Sequence, residues 1–263
     1  MKPIKDRIEE IKTNGYPLDF ADVFNHAFEN YKKIALYAGL VIFVFLVILV
    51  ILITGIVVSV FGVAELSENL KPENLKSENF SEGFLFIYMV SVVLITSLIS
   101  PFQAGFLKMA DYAEKDKTFH VSTIFEYYKA PYFKEIFMAT FLISIINISI
   151  STVLNLPGIQ IIGILVTYIL SFISILTIPL IVFGKLKAIE AITTSIMIVM
   201  KQPFILLALV IVAFIASMVG FIGCCIGVFF TIPFLFSMNY SIYNSIVGID
   251  PESESEEISS DME

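Results

Sequence analysis

Charge is missing from the longest stretches of this sequence. Of its 16 Lys and Arg and 24 Asp and Glu residues, none falls within residues 34–64, 83–107, 136–184 or 202–249. A soluble domain carries about a quarter charged residues, whereas here charged residues make up 15% and hydrophobic ones 57%. That segregation excludes water as the main solvent. It also excludes a proton relay or intramembrane catalysis built on ionisable groups, and a serine nucleophile in these stretches would lack a base.

Histidine occurs only at His26 and His120, outside the uncharged stretches. Two such residues cannot supply a multiple-histidine iron site or the His-Glu-x-x-His of a zinc protease. Cys224 and Cys225 are adjacent, which gives neither a disulfide framework nor spaced metal ligands. There is no Gly-x-x-x-x-Gly-Lys-Ser/Thr loop for an ATP-driven pump and no basic, aromatic-interleaved region for nucleic acid. Residues 1–33 lack the basic start and short apolar core of a cleavable signal. A non-enzymatic chain without cofactor, metal or nucleic-acid partner is expected.

What is present is membrane-spanning length. A crossing takes about 20 apolar residues, so the first two stretches hold one span each. The last two, of 49 and 48 residues, are each broken near the middle, at Asn155, Leu156, Pro157 and Gly158, and between Gly220 and Gly227. Six spans are predicted, at 34–61, 84–107, 136–154, 159–183, 204–221 and 226–247. The expected fold class is an all-α polytopic membrane bundle, six transmembrane helices in three hairpins, each preceded by a cytoplasmic amphipathic helix. Residues 1–18 form a cytoplasmic N-terminal segment, 19–248 the membrane domain, and 249–263 an acidic tail too poor in apolar residues to fold. That tail is a docking segment or a solubilising end. Fourteen basic residues lie on the side of the N-terminus and two, Lys71 and Lys76, on the other. Basic loops resist translocation, so both termini are placed in the cytoplasm, with the long outer loop at 65–82.

A threefold pattern runs through the chain. Asp19, a candidate N-cap, precedes Phe20, Val23, Phe24, Ala27, Phe28 and Tyr31 at helical spacing. Thr123 and Glu126 fit a capping box ahead of Lys134. Residues 188–201 carry Ile189, Ile192, Ile196 and Val199 on one side. The second span of each unit contains a kinking proline, Pro101, Pro179 or Pro233, and Thr177 and Thr231 stand close enough to accept part of the disruption. The fourth span aligns Gln160, Gly163, Thr167, Ser171, Ser174 and Thr177, a small and polar stripe that serves helix packing or a polar pathway. Gly55 and Ser59 read likewise, and Asn147, Asn239 and Asn244 should face protein.

Glu190, Ala191, Ile192 and Ser195 after a proline-containing span, the turn from Gly220 to Gly227, then Thr231, Ile232, Pro233 and Tyr243 resemble the glycerophosphoryl diester phosphodiesterase membrane-domain family. The resemblance covers about 19–248 and implies a cytoplasmic Glu-Ala-x-x-x-Ser helix feeding a hairpin. The soluble catalytic barrel of the fused members has no counterpart here, so the resemblance implies topology and no reaction. Low arginine with abundant Lys, Ile, Asn and Phe points to an AT-rich bacterial genome and a bacterial cytoplasmic membrane. The leading expectation is a non-catalytic membrane scaffold or interaction protein in the lipid bilayer, with a membrane-protein partner or its own copies. The alternative is a transporter or channel for a neutral or lipid-like solute. Head-group chemistry by His120, Glu126 and Lys134 is a third.

Overall fold

A computed structural model describes residues 3–69, 81–154, 159–222 and 226–249. Much of the predicted outer loop, the turn at Asn155 to Gly158, the cysteine pair and the acidic tail lie outside the described residues. Among the described residues the chain is helical throughout, with no strand.

The first helix, α1 (Ile4–Asn14), ends at Gly15, whose φ of 75° suits glycine, and it buries Ile4 and Ile11. Next comes α2 (Phe20–Asn69), one unbroken helix of 50 residues. Asp19 starts it as expected, its Oδ1 accepting from the Asp22 N–H at 3.0 Å. Ser81 caps α3 (Glu82–Glu114) in the same way through the Phe84 N–H.

A short α4 (Val121–Ile124) and a 3-10 turn over Glu126–Tyr128 lead into α5 (Tyr132–Val153). The return span is two pieces, α6 (Gln160–Ile173) and α7 (Thr177–Val182). Then follow α8 (Ala188–Lys201), α9 (Pro203–Met218) with a 3-10 turn over Val219–Ile222, α10 (Gly227–Thr231) and α11 (Pro233–Ile246). Pro203 and Pro233 each open their helix at a position where a missing N–H costs nothing.

Five helical segments are long and apolar enough to cross a membrane: Phe20–Ile56, Glu82–Glu114, Tyr132–Val153, Gln160–Val182 and Pro203–Ile222. The chain is a multi-pass α-helical membrane protein. The segment expected as a sixth span is α10 and α11, separated at Ile232.

The three helices expected ahead of the hairpins differ from one another. Its first helix is the start of α2 itself. Its second is one turn of α-helix plus a 3-10 turn, with His120 at the N-cap position and Thr123 as the third residue, Thr123 Oγ1 accepting from the His120 N–H. The third, α8, is a separate helix, but it buries Ala188, Ala191, Ser195 and Ile198 while Ile189 faces out. Its buried face mixes small residues with Ile198 and Val199, and Val199 is the one residue of the expected side that is buried where α8 lies against α7 and α5.

The best-packed helix is α11, enclosed by α2, α3, α7 and α9. Together with α10 it runs antiparallel to the first half of α2, from Phe229 beside Phe43 at one end to Tyr240 beside His26 at the other. Beyond Phe45, α2 changes character, and Leu46, Ile48, Ile51, Leu52, Ile53 and Ile56 are all exposed. Gly55, expected at a helix contact, has open space where a side chain would stand. The close approaches are instead at Gly39, against the backbone of α10, and at Gly105, where a Cβ would fall on the Ile124 backbone.

Gly105→Val therefore collides with atoms that cannot swing aside, and its cost lies toward the upper end of the ~1–3 kcal/mol usual for overpacking. Gly55→Val is the control and changes stability little. Thermal unfolding of the two variants in detergent checks the difference, and equal losses would contradict the packing described.

Candidate functional site

The polar side chains of the helices converge on α11. Asn30, 1% exposed, accepts from the Ser237 hydroxyl at 3.0 Å and donates to the Ala110 carbonyl at 2.7 Å. Asp111, also 1% exposed, accepts from the Tyr240 hydroxyl at 3.2 Å and has the Lys115 ammonium 3.1 Å away, one turn on. A buried carboxylate needs this much compensation. His26 Nε2 stands 2.9 Å from Glu114 Oε2. Lys33 donates to the Ala113 carbonyl at 2.9 Å and pairs with Asp116 at 2.7 Å. That cation meets the carbonyl end of α3, where the helix dipole is negative. These bonds fasten the first half of α2 and the end of α3 to each other and to α11.

The three prolines are handled differently. In α3 the helix runs on through Pro101, and the carbonyl it frees, Ser97, accepts from the Ser100 hydroxyl at 2.8 Å. Pro179 frees the Ile175 carbonyl, and the amide of Asn239 on α11 donates to it at 3.3 Å. Ser195 on α8 completes the repair by accepting from the Leu176 N–H at 3.1 Å and donating to the Ile173 carbonyl at 2.9 Å. The fourth span thus breaks between α6 and α7 with its backbone bonded by two other helices. Thr177, expected to help, does not: its hydroxyl is buried without a partner, as are Asn239 Oδ1 and Ser241 Oγ. Thr231 does not serve the carbonyl freed by Pro233 either. Its hydroxyl lies closest, at 2.6 Å, to the Ser217 carbonyl and so ties α10 to α9.

The fourth-span stripe is not one surface. Gln160 and Ser171 are exposed, Gly163 packs beside Leu154, and Thr177 is buried. Thr167 donates to the Gly163 carbonyl at 2.9 Å and Ser174 to that of Leu170, each within its own helix. Of the interfacial residues, His120 caps α4, Glu126 opens the 3-10 turn and Lys134 lies in the first turn of α5. Among the described residues no three His, Cys, Asp or Glu side chains come together as a metal-holding group.

Around this base runs the N-terminal segment. Arg7, the chain's one arginine, donates to the Val247 carbonyl at 2.6 Å and so caps the end of α11. Tyr16, 8% exposed, donates to the Ile198 carbonyl at 3.0 Å, and the Gln202 side chain donates to the Tyr16 carbonyl. Reasoning from sequence missed this strap, although Ile4, Ile8 and Ile11 mark one helix face. It also missed Asn30, Asp111 and Tyr240, none of which carries a motif, and it placed Ser195 in a motif without its bonds to the fourth-span break.

The architecture and site define a multi-pass α-helical membrane protein with a polar, tightly bonded base. Comparisons with family models, curated proteins and solved structures gave no match.

Two outcomes are expected. Asn239→Leu leaves the Ile175 carbonyl unpaired and costs about 1–3 kcal/mol. In a Pro179→Ala background the restored N–H takes that carbonyl, so the same substitution costs less than half as much, as denaturation of the four proteins measures. Burial pushes the Tyr16 hydroxyl up to about 12 from its ordinary 10. A raised value stabilises the neutral, packed form, so strap attachment is complete below pH 10 and is lost as pH rises through about 12. Ultraviolet titration of tyrosinate should show a step near 12 that the Tyr16→Phe variant lacks.

Proposed function

We propose that this chain is a non-catalytic integral protein of a bacterial cytoplasmic membrane, a scaffold that associates through its spans with its own copies or another membrane protein. Both termini lie on the cytoplasmic side, as the distribution of basic residues indicates. Four passes through α7 already return the chain to its starting side, and the hairpin of α9 to α11 preserves that by crossing twice or not at all. The relation to the glycerophosphoryl diester phosphodiesterase membrane-domain family is part of the proposal and concerns topology alone.

The observation that carries the scaffold reading is the division of α2. Its first half is locked into the base by bonds to α3 and α11. Its second half exposes apolar residues on every face, from Leu46 to Ile56. Lipid solvates such a surface as well as protein does, so a rigidly held arm of this kind is available for specific side-to-side packing. A photo-crosslinking residue at Ile51 or Ile56 should give adducts of discrete mass, either twice the chain or the chain plus one partner, in the native membrane. Adducts to lipid alone at both positions would overturn the scaffold.

The transport reading has one observation of its own: Thr177 Oγ1 and Asn239 Oδ1 are buried without protein partners on α7 and α11, beside the broken fourth span. Solute uptake into reconstituted vesicles that is lost in Thr177→Val would favour it.

A further inference from the structure

We infer that the hairpin of α9, α10 and α11 is re-entrant: its apolar tip contacts the acyl chains of the leaflet on the side of the chain termini and turns back without crossing. The inference concerns how the chain sits in its bilayer and is independent of the scaffold proposal.

The register against α2 carries it. Going up α2, Tyr240 meets His26, Ser237 bonds Asn30, Phe234 packs on Tyr31, Phe230 stands against Gly39 and Phe229 meets Phe43. The return arm therefore spans α2 only from His26 to Phe43. From Lys33, the last charged residue before the uncharged stretch, to Phe43 is ten residues, or about 15 Å of helix. That is half of a hydrocarbon core about 30 Å thick. From Phe43 to Glu65, the next charge on α2, about 33 Å of helix remains. Along that remainder α2 is exposed through Ile56.

The chemistry of the tip agrees. Val219, Phe221, Ile222 and Ile226 are all more than half exposed, Ile222 at 86%. No charged residue occurs between Lys201 and Asp250. A turn that emerged into water on the far side would hold four large apolar side chains in solvent, whereas in acyl chains they are at home.

Backbone groups at membrane depth must be bonded or enclosed, and the flanks of the turn meet that demand. Gly220 and Gly227 let the two arms close on each other, and the Thr231 hydroxyl covers the Ser217 carbonyl at the end of α9.

The test replaces Cys224 and Cys225 by serine and introduces one cysteine at a time, by Ile222→Cys, Ile226→Cys, Ser81→Cys as the far-side marker and Lys201→Cys as the near-side marker. Each protein is treated with a membrane-impermeant maleimide in sealed vesicles of both orientations. The expected result is that each marker labels from its own side only, while the tip positions label at least tenfold more slowly than either marker from both sides. A fluorophore attached there in detergent should be quenched after reconstitution by lipids carrying a mid-chain nitroxide. Labelling of the tip from the side of Ser81→Cys would show a full crossing, and labelling as fast as Lys201→Cys from the other side would show a tip in water. Either result overturns the inference. Failure of the scaffold would instead appear as absent crosslinks at Ile51 and Ile56, with tip labelling unchanged.

Discussion

A carbonyl freed by proline in a packed interior must find another donor, and the arrangement of this protein follows from meeting that demand at Pro179. The Ile175 carbonyl is taken by Asn239, and the neighbouring Leu176 N–H and Ile173 carbonyl are taken by Ser195. Leaving such a group unpaired costs about 1–3 kcal/mol, as much as a helix contact contributes. The break in the fourth span therefore fixes where α8 and α11 lie. Once α11 is held there, its remaining polar side chains determine what else must surround it, and Ser237 and Tyr240 draw in Asn30 and Asp111.

The same reasoning explains why one helix can behave in two ways. At 1.5 Å per residue the 50 residues of α2 extend about 75 Å, far beyond what a bilayer requires. Its first half carries Asn30 and Lys33, which bond across to α11 and α3. Its second half carries Val, Ile, Leu and Phe, which give neighbours nothing that lipid does not also give. Apolar packing runs on past Lys33 through Gly39 and Phe43, the last positions of α2 that meet α10, and ends at Phe45, which stacks on Phe102 of α3.

Much of this was legible in the sequence because the membrane imposes a coarse rule. Runs without charge gave five of the helices, and Asp19 gave the start of α2 by capping chemistry. What could not be read is pairing in space. Thr177 and Thr231 were assigned to the prolines nearest in sequence, but Asn239 and Ser195 reach the fourth-span break from 64 and 19 residues away. The periodicity of 188–201 put Ile189, Ile192, Ile196 and Val199 on one side, and of these Val199 alone is buried, on a face it shares with Ala191, Ser195 and Ile198. Asp111 carried no motif at all. It sits one turn beyond an uncharged run, where a carboxylate reads as an exposed helix end, and only the fold places Tyr240 over it.

The position of α11 in the chain has a consequence for how the molecule assembles. A helix with two asparagines, three serines and two tyrosines in 14 residues is a poor candidate to enter lipid alone. Each neighbour that answers those groups, α2, α3 and α7, precedes it in sequence. α11 therefore meets partners that were made before it. Arg7, from α1, then closes over its final carbonyls across the base.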